Sequence, residues 1–334
     1  MPWSRVLSFS DPLPYQEAIQ GADVELFPTA RGEFRAELTQ VRMQKLWMQR
    51  FEEKLPQVYA SKIKPDRQVI AFLTRDHQPP FRHCGVEISP RDIVVSNRDV
   101  MHHRTEGDCS FGAMSLALDD FDTACKAVTG HGYPESSLKH LVRPADALMS
   151  RLVALHRSVG LIAKTAPGFF ELTEVVRSVE QELIHLMVRC VTEGVSSGMT
   201  TGGRRHDVIV ARFEEFLEAN PDQPLYLTEI CAAIGVAERT LRFACEEHLG
   251  MGPIRYLHLR RMHLVRRALL RADPSKATVT RLATDHGFWE LGRFSVSYRT
   301  LFGETPSASL RRPLVDKPIL LSRPSSFEAS PLHS

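Results

Sequence analysis

The last third of the chain is written twice. The first copy runs Leu227-Thr-Glu-Ile-Cys-Ala-Ala-Ile-Gly235, then Arg239-Thr-Leu241, Gly250-Met-Gly-Pro253 and Leu257. The second runs Val279-Thr-Arg-Leu-Ala-Thr-Asp-His-Gly287, then Gly292-Arg-Phe294, Gly303-Glu-Thr-Pro306 and Leu310. Leu241/Phe294, Gly250/Gly303, Pro253/Pro306 and Leu257/Leu310 are each 53 residues apart, while Gly235/Gly287 are 52 apart, so one residue is inserted in the second turn. A fixed register of this kind marks one supersecondary unit used twice.

Each copy reads as a helix-turn-helix. In the first, Leu227, Ile230, Cys231 and Ile234 share one face of a short helix that Gly235 can stop in the left-handed conformation. Val236 fills the space between helices. The next helix, about Glu238 to Leu249, buries Leu241, Ala244 and Cys245 and turns Glu238, Arg239 and Arg242 outward. Gly250 ends it, and Pro253 opens the following helix where a missing N–H costs nothing. In the second copy Leu282 and Ala283 face Phe294 and Tyr298, leaving Arg293, Ser295, Val296 and Arg299 exposed. Between the copies Ile254, Leu257, Leu264, Val265 and Ala268 to Leu270 describe one long helix, about Pro253 to Ala272. Such a spacer can hold two recognition helices roughly one DNA turn, ~34 Å, apart.

These residues, from about Asp207 to Arg312, resemble the AraC/XylS transcription regulators, in which two helix-turn-helix units are joined by a long helix. The most specific stretch is Gly287-Phe-Trp-Glu-Leu-Gly-Arg-Phe-Ser-Val-Ser-Tyr-Arg-Thr-Leu-Phe-Gly-Glu-Thr-Pro306. The resemblance implies double-stranded DNA as partner, read by Glu238, Arg239, Arg242, Phe243, Leu291, Gly292, Arg293, Ser295, Val296 and Arg299. It also implies an N-terminal effector-binding or dimerising domain, often a cupin-like barrel. A homodimer is expected, and contact with RNA polymerase if the chain is an activator. Many members carry an arginine where this chain has Phe243 and Val296. Arg239, Arg242 and Arg293 are therefore expected at base edges and Arg299 on a phosphate. A surface arginine can instead pair within its helix, as Arg242 with Glu246.

The rest of the chain supports an α+β multidomain architecture: a strand-rich cupin-like barrel with flanking helices, then the all-α reader of two helix-turn-helix units joined by a long helix. Short β-prone runs such as Val69-Ile-Ala-Phe-Leu73 and Asp92-Ile-Val-Val-Ser96 place a barrel at about 23–118, with helices at 119–194. Val195 to Arg204 is rich in small residues, giving a tether at 195–206, a reader at 207–312 and a disordered tail at 313–334. Charge follows this division: residues 1–203 carry 23 basic and 25 acidic side chains, and 204–312 carry 17 and 13, so only the second part leans toward a polyanion. Leu172, Val176, Val179, Leu183, Leu186 and Cys190 make a helical stripe that suits either the domain's own core or a dimer interface.

Trp47, Phe72, His83 and Met114 are candidate effector contacts in the barrel. His77, His83, Cys84, His102, His103 and Cys109 cluster in the same region, but no His-x-His pair accompanies them, so no metal, cofactor or catalytic residue is expected. Six scattered cysteines without Cys-x-x-Cys spacing, and no apolar run of signal or membrane length, point to a cytoplasmic regulator and not an enzyme. An N-terminal domain that only dimerises is the alternative, with a metal enzyme fused to a DNA reader a distant third.

Overall fold

The computed structural model describes residues 2–96, 101–133, 141–196, 201–220, 225–312 and 319–321, the side chains of 201–204 and 319 excepted. The chain begins with β1 (Trp3–Phe9), α1 (Pro12–Ala18), β2 (Ala22–Pro28), β3 (Ala36–Arg42), β4 (Trp47–Glu53), β5 (Gln57–Ile63) and β6 (Arg67–Leu73). There follow β7 (Phe81–His83), β8 (Val86–Glu87), β9 (Ile93–Ser96), β10 (Met101–Thr105) and β11 (Cys109–Ala117). Helix α2 (Leu118–Thr129), β12 (Leu141–Arg143), α3 (Asp146–Thr165), a 3₁₀ turn (Pro167–Glu171), α4 (Thr173–Glu193) and β13 (Val195–Ser196) complete the N-terminal region. The reader is α5 (Thr201–Ala219), α6 (Leu227–Ile234), α7 (Glu238–Leu249), α8 (Pro253–Arg271), α9 (Val279–Asp285), α10 (Leu291–Phe302) and α11 (Pro306–Arg311), with β14 (Ile319–Leu320) beyond it.

All strand pairings are antiparallel, and they build two sheets. The larger runs β13-β12-β9-β6-β11-β4-β3-β1-β14 and the smaller β2-β5-β10-β7-β8. Strand structure thus starts at Trp3, earlier than the expected beginning near Asp23, because β1 pairs along its whole length with β3. Alternation along each strand gives every sheet two faces. On the larger sheet Met48, Ile70, Phe72, Met114 and Leu116 face α2, α3 and α4 in one continuous core.

Helix α4 corrects the dimer expectation. Val176, Leu183 and Leu186 are 1%, 0% and 1% exposed in that core, and Val179 packs on it, so the stripe is already used by its own domain. Leu172 is the exposed member of the set. The buried carboxylate of Glu180 adds a polar clasp, accepting from the backbone N–H of Lys45 at 2.6 Å and of Leu46 at 2.9 Å in the turn before β4.

The segment expected to be a tether is shorter than 195–206. Val195–Ser196 pairs with β12, and α5 starts at Thr201, which leaves 197–200 outside the described residues. The tail is likewise not free throughout: Ile319 and Leu320 pair with Ser8 and Leu7, and the Leu321 N–H donates to the Val6 carbonyl at 2.8 Å. The remaining tail positions lie outside the described residues.

The reader is packed firmly onto the smaller sheet. Phe27 and Val58 join Ile209, Val210, Phe213, Leu241, Cys245 and Tyr256 in a shared core. Helix α8 brings four arginines to barrel carboxylates: Arg260 and Arg267 to Glu25 at 3.2 and 3.9 Å, Arg266 to Asp11 at 2.6 Å, and Arg271 to Glu17 at 2.5 Å. His263 sits between the rings of Phe27 and Phe302 and hydrogen-bonds the Pro28 carbonyl at 3.1 Å.

Burial ranks these ion pairs. Arg266 and Asp11 have side chains 11% and 5% exposed, whereas Arg271 and Glu17 are 54% and 55% exposed. Removing one partner of a buried pair strands the other charge, at about 3–5 kcal/mol; an exposed pair contributes about 0–1 kcal/mol. Arg266→Met is expected to lower the urea unfolding midpoint clearly and Arg271→Met to leave it nearly unchanged; equal effects would refute this ranking.

Candidate nucleic-acid interface and effector cavity

The two recognition helices are set by repeated punctuation. Tyr226 N–H donates to Glu229 at 3.2 Å at the start of α6, and Thr278 accepts from Arg281 N–H at 3.2 Å at the start of α9. Gly250 and Gly303 close α7 and α10 at φ of 72° and 75°, each donating its N–H back to the fourth residue before it. An L side chain there would be strained, so glycine is what lets both helices stop at the same point.

Helix α7 buries Leu241, Ala244, Cys245 and Leu249, and α10 buries Phe294 and Tyr298, whose hydroxyl donates to Ser309 at 2.7 Å. The opposite faces carry Glu238, Arg239, Arg242 and Phe243 on α7, and Gly292, Arg293, Ser295, Val296 and Arg299 on α10, all exposed. Leu291 differs from the rest, being half-buried against the core of the second unit, so its role is packing. Ile254, expected inside the spacer stripe, is also on the surface. Arg242 pairs with Glu238 at 2.9 Å, not with Glu246, and Arg293 pairs with Glu290 at 2.9 Å. Exposed pairs this weak give way readily to a phosphate or a guanine edge. Arg239 lies over the Phe243 ring at 5.7 Å.

A cavity opens between the two sheets. The segment Ile19–Val24 closes one side; Trp47, Gln49, Phe51, Val69, Ala71, Phe111, Ala113 and Ser115 come from the larger sheet; Tyr59, Ser61, Ile63, Met101 and His103 come from the smaller. Of the four residues expected to contact an effector, Trp47 lines the cavity, and Met114 borders it while packing into the core beneath. Phe72 is corrected: alternation on β6 turns Val69 and Ala71 inward, and Phe72 packs against His156 on the far side. His83 is not in the lining; it sits beside His103 on the same face of the sheet, paired with it across β7 and β10, with Nδ1 3.3 Å from Nε2 of His103. Gln49, Tyr59 and His103 were not anticipated; strand parity starting from Trp47 points to Gln49 and Phe51, but the other walls come from distant strands.

Among the described residues the cavity wall carries no charged side chain. Burial, then the neighbouring His102, lowers His103 to about 4, which keeps it neutral. Gln49 is fully engaged, accepting from Gln20 N–H and Gln40 Nε2 and donating to the Gln20 carbonyl. Tyr59 donates its hydroxyl to Glu53, which also binds Tyr15 and Gln57; burial raises Glu53 to about 7 against the pull of those donors. The guanidinium of Arg67 stacks on Trp47 at 3.9 Å and donates to Ser115, so this cation is committed at the rim.

The smaller sheet has the cavity on one face and the reader on the other. Ala22, Val24, Tyr59, Ser61, Met101 and His103 point inward. On the other face, in alternation, Glu25 and Phe27 meet α8, Val58 joins the reader's core, and fully buried His102 lies 3.7 Å from Glu214 of α5. At the edge, the β7–β8 turn holds Cys84 at φ 47° and brings Gly85 against Glu247 and His248 of α7. Among the described residues no group of three or more His, Cys, Asp or Glu side chains is arranged to hold a metal ion, and no helix is long and apolar enough to cross a membrane.

Residues 230–312 match a helix-turn-helix domain family. The probable thc operon regulatory protein of Rhodococcus erythropolis is 40% identical over 103 residues, 31% of this chain and 31% of its own length. XylDLEGF operon transcriptional activator 3 of Pseudomonas putida is 26% identical over 239 residues, 70% of this chain and 69% of its own. The crystal structure of the AraC-like transcriptional activator CuxR superposes with a TM-score of 0.40 at 15% identity, covering 85% of this chain and 100% of that one. The C-terminal third is a DNA-binding domain of two helix-turn-helix units. In that domain the chain is similar to helix-turn-helix regulators of operon transcription.

Four buried histidines make stability pH-dependent. Burial lowers His103 and His248 to about 4 and His156 and His263 to about 3, so the unfolded chain takes up their protons near pH 6.5 while the folded chain does not. Glu53, raised to about 7, works the other way and holds one extra proton in the folded state between about pH 7 and 4.5. The net is stability that falls as pH drops below about 6.5, on the order of 3–4 kcal/mol between pH 7.5 and 5.5. Urea midpoints at the two pH values check this, and an unchanged midpoint would rule it out.

Proposed function

We propose that this chain is a sequence-specific DNA-binding regulator of transcription whose grip on DNA is set by a small, uncharged, largely apolar effector in the barrel cavity. The observation that carries the effector reading is the two-faced smaller sheet. A ligand touching Val24, Tyr59 or His103 acts on strands whose neighbouring residues, Glu25, Val58 and His102, hold the reader. A ligand shifts such an equilibrium only by its differential affinity for the two arrangements, and a one-sheet separation makes that difference direct. The lining supports the chemistry of the ligand: apolar walls and a neutral His103, with the Tyr59 hydroxyl held by Glu53 and Gln57. Two relatives bear names of operon regulation, which supports transcription control, and activation would bring RNA polymerase as a further partner. The domain division at the end of β13, the cytoplasmic setting and a homodimer form part of the same reading; with α4 buried, the dimer contact falls outside its stripe.

Selection of bound sequences from a random DNA pool, followed by titration, tests the reader. Arg293→Ala is expected to weaken the selected site by roughly 5- to 150-fold, the range for a bidentate arginine–guanine contact, and random DNA much less. Equal loss on both would move Arg293 to a phosphate. The cavity is tested on the full chain by thermal shift against uncharged apolar compounds. A compound at about 100 times its Kd adds roughly 2.7 kcal/mol to the folded state, and Ala113→Phe, which fills the cavity, should abolish the shift while leaving DNA affinity without ligand intact. A shift that survives Ala113→Phe would place the ligand elsewhere.

A further inference from the structure

We propose that Phe243 and Val296 each read a thymine, seating an apolar side chain against the base's 5-methyl group, one in each half of the DNA site; this rests on the DNA-reading assignment above. The two residues are 53 positions apart, at the same point of the two recognition helices. Phe243 is 52% exposed and Val296 68% exposed, while their helix neighbours Leu241, Ala244, Phe294 and Tyr298 are buried. Neither belongs to any of the hydrophobic clusters of the described residues. An apolar side chain left in water at one repeat is ordinary; the same departure at the equivalent place in both repeats points to a shared task.

The surroundings say which partner. Phe243 directly follows Arg242, and the Arg239 guanidinium one turn earlier lies over its ring at 5.7 Å. Val296 lies between the exposed Arg293 and Arg299. Two cationic faces of this kind suit a polyanion better than an apolar protein surface. In the major groove the thymine methyl is the apolar feature that base edges offer, and every other edge position needs a hydrogen bond that Phe and Val cannot make. Each residue therefore discriminates for thymine twice, by burying the methyl and by leaving the polar edges of other bases unpaired. Val296 is suited to a fixed contact because its branched side chain has one strongly preferred rotamer in a helix.

The test uses the full chain and the site recovered by selection, with thymines replaced one at a time by deoxyuracil, which removes only the methyl. One thymine in each half is expected to show about fourfold weaker binding when replaced, the effect of one buried methyl group. That sensitivity should vanish at the first position in Phe243→Ala and at the second in Val296→Ala, each variant keeping the unaltered circular dichroism expected of an exposed site. Phe243→Arg should change the base selected at its position from thymine to guanine. Binding indifferent to every uracil, or uracil sensitivity that persists in both alanine variants, overturns the proposal while leaving the DNA reader in place. A pool that yields no enriched sequence overturns both.

Discussion

Everything in this molecule hangs on the alternation of side chains across one five-stranded sheet. Residues two apart on β2, β5 and β10 look into the cavity, and the residues between them look at the reader. A strand cannot move one set without the other, because both sit on the same backbone. The docking is made of an apolar core shared by Phe27, Val58, Phe213 and Tyr256 and a row of arginines on α8 set against Asp11, Glu17 and Glu25. The apolar part supplies adhesion and the charged part fixes orientation, since a buried ion pair tolerates little displacement.

This arrangement treats the two helix-turn-helix units unequally. The first shares its core with the barrel through α5, α7 and α8, and the turn at Cys84–Gly85 touches α7 itself. The second has its own core around Val265, Phe294 and Tyr298, and meets the barrel mainly through α8 and the Arg266 network with Asp11 and Glu304. The first unit is thus the one held directly against the barrel, and the second is joined to it through the spacer helix α8.

The helical reader was legible because its signals are local: glycines that stop helices, prolines that start them, and apolar spacing within a dozen residues. Helical spacing within each repeat places Leu241, Phe294 and Tyr298 in cores and Arg239, Arg242 and Val296 on the surface without knowledge of any distant contact. The cavity was not legible in the same way. Its walls come from six separate segments, and only the pairing register says whether Phe72 or Ala71 faces inward. The α4 stripe shows a different limit, since the same apolar spacing serves a partner helix or a home core, and only the neighbours decide. Charge misled most subtly. The positive balance of residues 204–312 suggested a DNA footprint, yet Arg260, Arg266, Arg267 and Arg271 spend that charge on barrel carboxylates.

The short pairing of Ile319 and Leu320 with β1 carries an implication for how the protein keeps to itself. Without it, the edge of β1 turned away from β3 would form an open sheet margin, the kind of template on which another chain can add a strand. Two residues from beyond the reader cover part of that margin. That pairing thereby narrows the seam along which another copy could adhere.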